Sequence, residues 1–162
     1  ISRMKLGQVD ALTTANIGKF HGGSATNIIA DEVTLEAEAR SHDDQSINKQ
    51  VKHMKETFET TANELGGQAE VLVEKSYPGF EVNETDKVTQ YAISSALALG
   101  LKGDTCIAGG GSDGNIMNQY GIPSVILGVG YENIHTTSER IAIKDMYMLT
   151  RQIIKIIELV AE

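Results

Sequence analysis

The sequence is poor in cysteine, in proline and in basic residues. It has one Cys and two Pro, and its 14 Lys and Arg stand against 22 Asp and Glu. A single thiol, Cys106, excludes an internal disulfide framework and suits a reducing compartment. Within Thr105-Cys106-Ile107-Ala108 it reads as a small core residue rather than a nucleophile. A net charge of −8 with a pI near 5.0 argues against nucleic acid as a partner, because a phosphate-binding face needs clustered Lys and Arg. No apolar run reaches the ~18 residues that a membrane-spanning helix needs. No secretory leader pattern stands at the start, and the expected location is the cytoplasm. What is present is ordinary for a globular protein: 41% apolar and 22% charged residues in a chain of 162, room for one domain or two small ones.

The first residue is Ile, and Ile1 to Leu6 reads as the tail of a helix stopped by Gly7. This opening predicts a piece of a longer protein. Thr13 to His21 favours extended structure and is ended by Gly22-Gly23, with a loop over residues 24–30. Val33 to Arg40 alternates with period two, Val33, Leu35, Ala37 and Ala39 on one face and Thr34, Glu36, Glu38 and Arg40 on the other. It predicts a strand with one buried face. After acidic residues suited to a helix start, Ile47, Val51, Met54, Phe58, Ala62 and Leu65 recur at steps of three and four. They predict an amphipathic helix ending at Gly66-Gly67 with one face on a sheet. Ala69 to Val73 reads as a further strand, broken by Tyr77-Pro78-Gly79.

The composition then shifts, placing a domain boundary near residues 78–83. Asn83 is the expected N-cap of a helix through Leu99. Strands are expected at residues 104–108 and 124–129, a short helix near residues 112–120, and a last helix carrying Met146, Leu149, Ile153, Ile156, Ile157 and Val160. Helix and strand alternate, so the expected class of this half is α/β with a short parallel sheet. No repeat and no low-complexity segment is visible.

The chain is organised around Gly109-Gly110-Gly111-Ser112-Asp113-Gly114-Asn115, the apolar strand before Gly128-Val129-Gly130, and Asn133-Ile134-His135-Thr136-Thr137-Ser138-Glu139. Glycines let backbone approach a ligand or a neighbouring element closely. His135 follows a strand end, where α/β sheets place their chemistry. Taken alone, His135 also reads as a loop histidine bonded to backbone, Asp113 as a helix-start acid, His21 as an exposed strand-end residue and Arg40 as a solvated surface charge.

Together these segments resemble the C-terminal part of the dinuclear-zinc peptidase and amidohydrolase superfamily, nearest to its peptidase T-like tripeptidase branch. The stretch from Asn16 through His21-Gly22-Gly23 to Asn27-Ile28-Ile29 resembles the lid segment of that family, without the proline that usually follows. The resemblance implies an incomplete ferredoxin-like lid or dimerisation domain over residues 1–80, lacking its first strand and most of its first helix. It implies the C-terminal portion of an α/β catalytic domain over residues 81–162.

The same resemblance implies the roles. His135 would be a zinc ligand, and Glu139 would orient that ligand or open a helix. His21, reaching the partner subunit, would stabilise the oxyanion. Arg40 would bind a substrate carboxylate, and Asn27, Gly110, Gly111, Ser112 and Asp113 would contact substrate. The implied protein hydrolyses small peptides, carries two zinc ions and forms a homodimer through the lid. This chain alone, with one family ligand and no general base, is expected to hold zinc weakly and to be inactive. Two alternatives stand beside it. One is another amidohydrolase of the same scaffold, a desuccinylase or aminoacylase. The other is a dimerisation module without catalysis.

Overall fold

The computed structural model describes residues 1–161. Over these residues the chain is a mixed α/β protein with one small antiparallel sheet and four helices. It divides into two compact units, Ile1–Gly79 and Phe80–Glu162. Among the described residues, no helix is long and apolar enough to cross a membrane.

The first unit is a three-stranded antiparallel sheet with one helix against it. Strands β1 (Gly7–Gln8), β2 (Thr13–Gly22) and β3 (Val33–Ser41) pair in the order β1-β2-β3. Thr13 lies opposite Ser41, Thr14 opposite Arg40, His21 opposite Thr34 and Gly22 opposite Val33, with a bulge between Ile17 and Lys19. Helix α1 (Asp44–Glu64) follows β3 directly. The Asp43 carboxylate caps it, accepting from the Ser46 N–H at 2.6 Å and satisfying a donor that the helix itself leaves open. Leu65 closes the helix and Gly66 leaves it at φ 80°, a conformation that suits glycine. Met54 and Gln50 of α1 are buried, as are Thr13 and Ala15 of β2, so the core sits under the half of the sheet nearest the helix start.

Several expectations are corrected here. Residues 1–6 are a turn, not a helix tail: the Met4 N–H donates to the Ile1 carbonyl at 2.8 Å. Gly7, at φ 76°, begins β1, a strand the sequence did not suggest. The segment is fastened to α1 through the Lys5 peptide. Its N–H donates to His53 Nε2 at 3.1 Å, and its carbonyl accepts from Gln50 Nε2 at 2.7 Å. His53 is therefore half-buried with a backbone partner. Residues 69–73 do not join the sheet, so the unit runs β-β-β-α rather than α-β-β-α-β. The apolar face of β3 is covered only in part, with Leu35 and Ala39 half-buried and Val33 and Ala37 exposed.

In the second unit, α2 (Lys87–Ala98) packs on α4 (Ile143–Ala161), and the short α3 (Asp113–Gln119) stands between them in sequence. The parallel sheet expected here is not formed among the described residues. Segments 104–108 and 124–129 have the apolar composition of strands, but no backbone ladder joins them, and a strand exists only through such a ladder. Asp86, not Asn83, is the N-cap of α2. Its carboxylate accepts from the Asn83 N–H at 2.7 Å, and its own N–H donates to the Asn83 carbonyl.

The α2 face that meets α4 is small and buried: Thr89, Ala92, Ser95 and Ala96. Helix α4 is apolar on more than one face. The face it turns inward centres on buried Gln152, whose amide donates to the Ala92 carbonyl at 3.2 Å, flanked by half-buried Leu149 and Ile156. Of the apolar residues expected on this helix, Met146, Ile153, Ile157 and Val160 are exposed. The polar joint decides the rotation that apolar periodicity leaves open.

Candidate active site

The strand pair β2–β3 carries two of the candidate residues. Side chains alternate along a strand, and residues directly opposite on neighbouring strands share a face. Thr34, Glu36, Glu38 and Arg40 therefore lie on one face of the sheet, with their register partners His21, Lys19, Asn16 and Thr14. His21 is exposed near the free end of β2, and Arg40 lies near the opposite end of the same face. Six residues separate Thr34 from Arg40 along β3, which at a rise of ~3.4 Å each sets the two candidate side chains about 20 Å apart.

Arg40 Nη2 donates to Glu38 Oε2 at 2.9 Å. That hydrogen bond holds the guanidinium protonated more firmly than usual, against a small opposing effect of burial. Asn27 is exposed in the loop joining the strands. The turn beside His21 is tight. A Cβ at Gly22 would sit 2.7 Å from Val33 Cγ2 and 2.8 Å from the Glu32 carbonyl oxygen, so only glycine fits there.

In the second unit the glycine turn leads into α3. Gly110 has open space around the position a Cβ would take. Ser112 is the N-cap. Its Oγ accepts from the Gly114 N–H at 3.2 Å, while its own N–H donates to Asn115 Oδ1 at 2.9 Å, closing a capping box. The hydroxyl of Ser112 is thus engaged by its own helix. Gly111 and Asp113 are exposed beside it, with Asp113 in the first turn, where a carboxylate suits the helix dipole. Asn118 was not singled out from the sequence, yet it fixes this region. Its Nδ2 donates to the carbonyls of Gly114 at 2.8 Å and Ser124 at 3.0 Å, and its Oδ1 accepts from the Ser124 N–H at 3.1 Å. No spacing rule marks such a clamp, because a lone Asn near a helix end has many uses.

His135 stands on a loop closed at its base. Glu132 and Arg140 exchange backbone hydrogen bonds at 2.8 and 3.1 Å, and Arg140 Nε also donates to Glu132 Oε2 at 2.8 Å. Between them, Asn133 and His135 adopt left-handed backbone at φ 55° and 64°. A non-glycine residue there carries strain that its surroundings must hold. The Glu139 carboxylate supplies one restraint, accepting the His135 backbone N–H at 2.7 Å. Of the two roles expected for Glu139, opening a helix is excluded, since α4 begins at Ile143. Its contact with His135 is to the main chain.

Among the described residues, no three His, Cys, Asp or Glu side chains gather into a group able to hold a metal ion. Catalytic zinc takes about three protein ligands and leaves one position open. The described residues by themselves do not fit a zinc centre, and His135 offers one imidazole.

Residues 4–66 match the family of peptidase dimerisation domains. Those residues thus carry an M20 peptidase dimerisation domain. The chain is similar to the crystal structure of a tripeptidase from Staphylococcus aureus subsp. aureus Mu50, with 67% identity and a TM-score of 0.89 over 99% of this chain and 43% of that one. It is also similar to aminopeptidase PepT from Bacillus cereus ATCC 10987, with 46% identity and a TM-score of 0.81 over the same shares. YqjE, an uncharacterized protein of Bacillus subtilis (strain 168), is 45% identical over 158 residues, 98% of this chain and 43% of that protein. The chain thus spans less than half the length of the proteins it matches.

Proposed function

We propose that this chain is part of a small-peptide hydrolase of the tripeptidase kind, active as a homodimer whose sites draw on both subunits. Similarity to a tripeptidase and to an aminopeptidase supports the reaction class. The observation that carries the two-subunit reading is the separation of His21 from Arg40. An extended tripeptide is about 10 Å long, at roughly 3.4 Å per residue. Two side chains about 20 Å apart on one sheet face do not hold the same small substrate. Each serves a different site, and a second subunit supplies the missing partner.

In this reading, Arg40 of one subunit receives the carboxylate of the peptide with its planar guanidinium, and Glu38 keeps the guanidinium aligned along β3. His21 of the other subunit donates to the carbonyl oxygen as it becomes a tetrahedral oxyanion. The Gly110-Gly111 amides and Asp113 would contact substrate, and Asn27 shapes the loop beside His21. His135 contributes one ligand to a metal centre completed by residues outside this chain, and the metal is zinc.

The test uses the full-length protein and a chromogenic tripeptide. His21→Ala and Arg40→Ala are each expected to be nearly inactive. After the two variants exchange subunits, half of the dimers are mixed and each mixed dimer has one intact site, so about a quarter of wild-type activity returns. A mixture that stays as inactive as its components would refute the two-subunit site. A fully active His135→Ala variant would refute the ligand role.

A further inference from the structure

Two residues that are not glycine hold left-handed backbone among the described residues, Asn133 and His135, and Ile134 alone separates them. Such backbone persists only where its surroundings over-determine it, and it gathers at functional sites. The Glu132–Arg140 bridge closes the base of this loop, and the Glu139 carboxylate takes the His135 N–H. Further restraints converge on Thr136. Its hydroxyl donates to the Asn133 carbonyl at 2.7 Å, and its own N–H donates to the same oxygen at 3.2 Å. Its carbonyl accepts the Glu139 N–H at 3.1 Å. A hydroxyl has one proton, and that of Thr136 is committed to Asn133, so toward Ser138 its oxygen accepts. It takes the Ser138 N–H at 3.2 Å and the Ser138 hydroxyl at 3.0 Å.

We propose that Thr136 is a positioning residue for His135. Its hydroxyl ties the Asn133 carbonyl on one side of the histidine to the Ser138 amide on the other. It thereby holds the strained backbone that sets the direction of the Cα–Cβ bond from which the imidazole extends. The inference rests on the reading above that His135 serves the site, and it names the group that aims it. The other left-handed positions among the described residues are all glycine: Gly7, Gly23, Gly66, Gly100, Gly121 and Gly130. A turn that only had to reverse the chain would follow that habit. This loop instead keeps a side chain at 135 and carries the strain through hydrogen bonds. Threonine suits the task because its branched side chain is stiff at χ1, which keeps the hydroxyl between its two partners. The Glu139 carboxylate restrains the His135 N–H alone, whereas Thr136 restrains the chain before and after it.

The experiment uses the full-length protein. Thr136→Val keeps the branched shape and loses the hydroxyl, Thr136→Ala loses both, and Thr136→Ser keeps the hydroxyl. His135→Ala is the reference for loss of the histidine itself. Tripeptide hydrolysis gives kcat and KM, circular dichroism gives the unfolding temperature, and mass spectrometry gives amide exchange over residues 133–139. Misplacing a site residue by about 1 Å costs up to ~100-fold in rate, so kcat of the Val and Ala variants should fall about 10- to 100-fold with KM nearly unchanged. Exchange over residues 133–139 should quicken about tenfold in the same two variants. The unfolding temperature should hold, because the loop is exposed and packs little, and Thr136→Ser should recover most of the lost rate. Wild-type kcat in the Val and Ala variants beside an inactive His135→Ala overturns the positioning role and leaves the reading of His135 standing. A Ser variant as impaired as the Val variant also overturns it, since the hydroxyl would not be the agent. A fully active His135→Ala overturns both.

Discussion

Replacing Gly22 with Ala isolates what holds the hairpin end. The new methyl would lie 2.7 Å from Val33 Cγ2, 2.8 Å from the Glu32 carbonyl oxygen and 3.1 Å from Val33 Cα. The first contact ends on a side chain that a rotamer change moves. The other two are backbone on the neighbouring strand, so relief requires the strands to part. Overpacking of this kind costs about 1–3 kcal/mol, and two backbone contacts at such distances place this site in the upper half of that range. The disturbance should stay local, because the bulge between Ile17 and Lys19 interrupts the ladder before the part that α1 supports.

Amide hydrogen exchange reads this directly. At ~2 kcal/mol, protection of the amides around His21 and Thr34 should fall about 30-fold, and protection at Ala15 and Ala39 should be unchanged. Adding Val33→Ala removes the 2.7 Å contact and leaves the one to the carbonyl, so recovery should be partial. Full recovery in the double variant would show that the backbone was never the obstacle. Equal loss of protection along the whole of β2 would refute the independence of the two halves.

Three further outcomes are expected. Asn118→Leu removes three hydrogen bonds of 2.8–3.1 Å, two that tie α3 to Ser124 and one back to the Gly114 carbonyl within the helix. It should destabilise the protein by roughly 2–3 kcal/mol in urea unfolding, and a loss below half that would mean solvent replaces the clamp. Ser112→Ala breaks the capping box of a seven-residue helix. It should cost about 1 kcal/mol, with faster amide exchange confined to residues 113–119. Asp10 has its carboxylate pKa lowered from the ordinary 3.8, first by the Leu12 backbone N–H at 2.9 Å and then by Thr13. Its contribution to the β1–β2 turn is therefore present above pH 3.8 and lost as the pH falls through the lowered value. An NMR titration midpoint at or above 3.8 would contradict the bond.

The sequence made some elements legible because their cause is local. Period two from Val33 to Arg40 and steps of three and four from Ile47 to Ala62 are properties of a strand and a helix by themselves, and both are found. Gly66 after α1, Gly100 after α2 and the Ser112 region before α3 are end signals that a few neighbouring residues determine. Residues 69–73, 104–108 and 124–129 are the other case. Their composition suits a strand, but pairing is supplied by partners distant in sequence, and none is made among the described residues. The same limit hid the rotation of α4, which Gln152 and Ala92 settle across 60 positions. It hid the acceptor role of His53, 48 positions from Lys5. Of the candidate site, the residue types and their segments were readable. The distance between His21 and Arg40 along one face needed the register.

The left-handed backbone of His135 bears on how this loop tolerates change. At φ 64° a histidine is held where glycine would rest without strain, and relief of about 1 kcal/mol awaits any chain that makes the exchange. In the proposed peptidase, thermostability and peptide hydrolysis would pull this position in opposite directions. A library randomised at 135 and screened for heat resistance alone should drift toward glycine and asparagine. The same library screened for turnover should return histidine and accept the poorer fold.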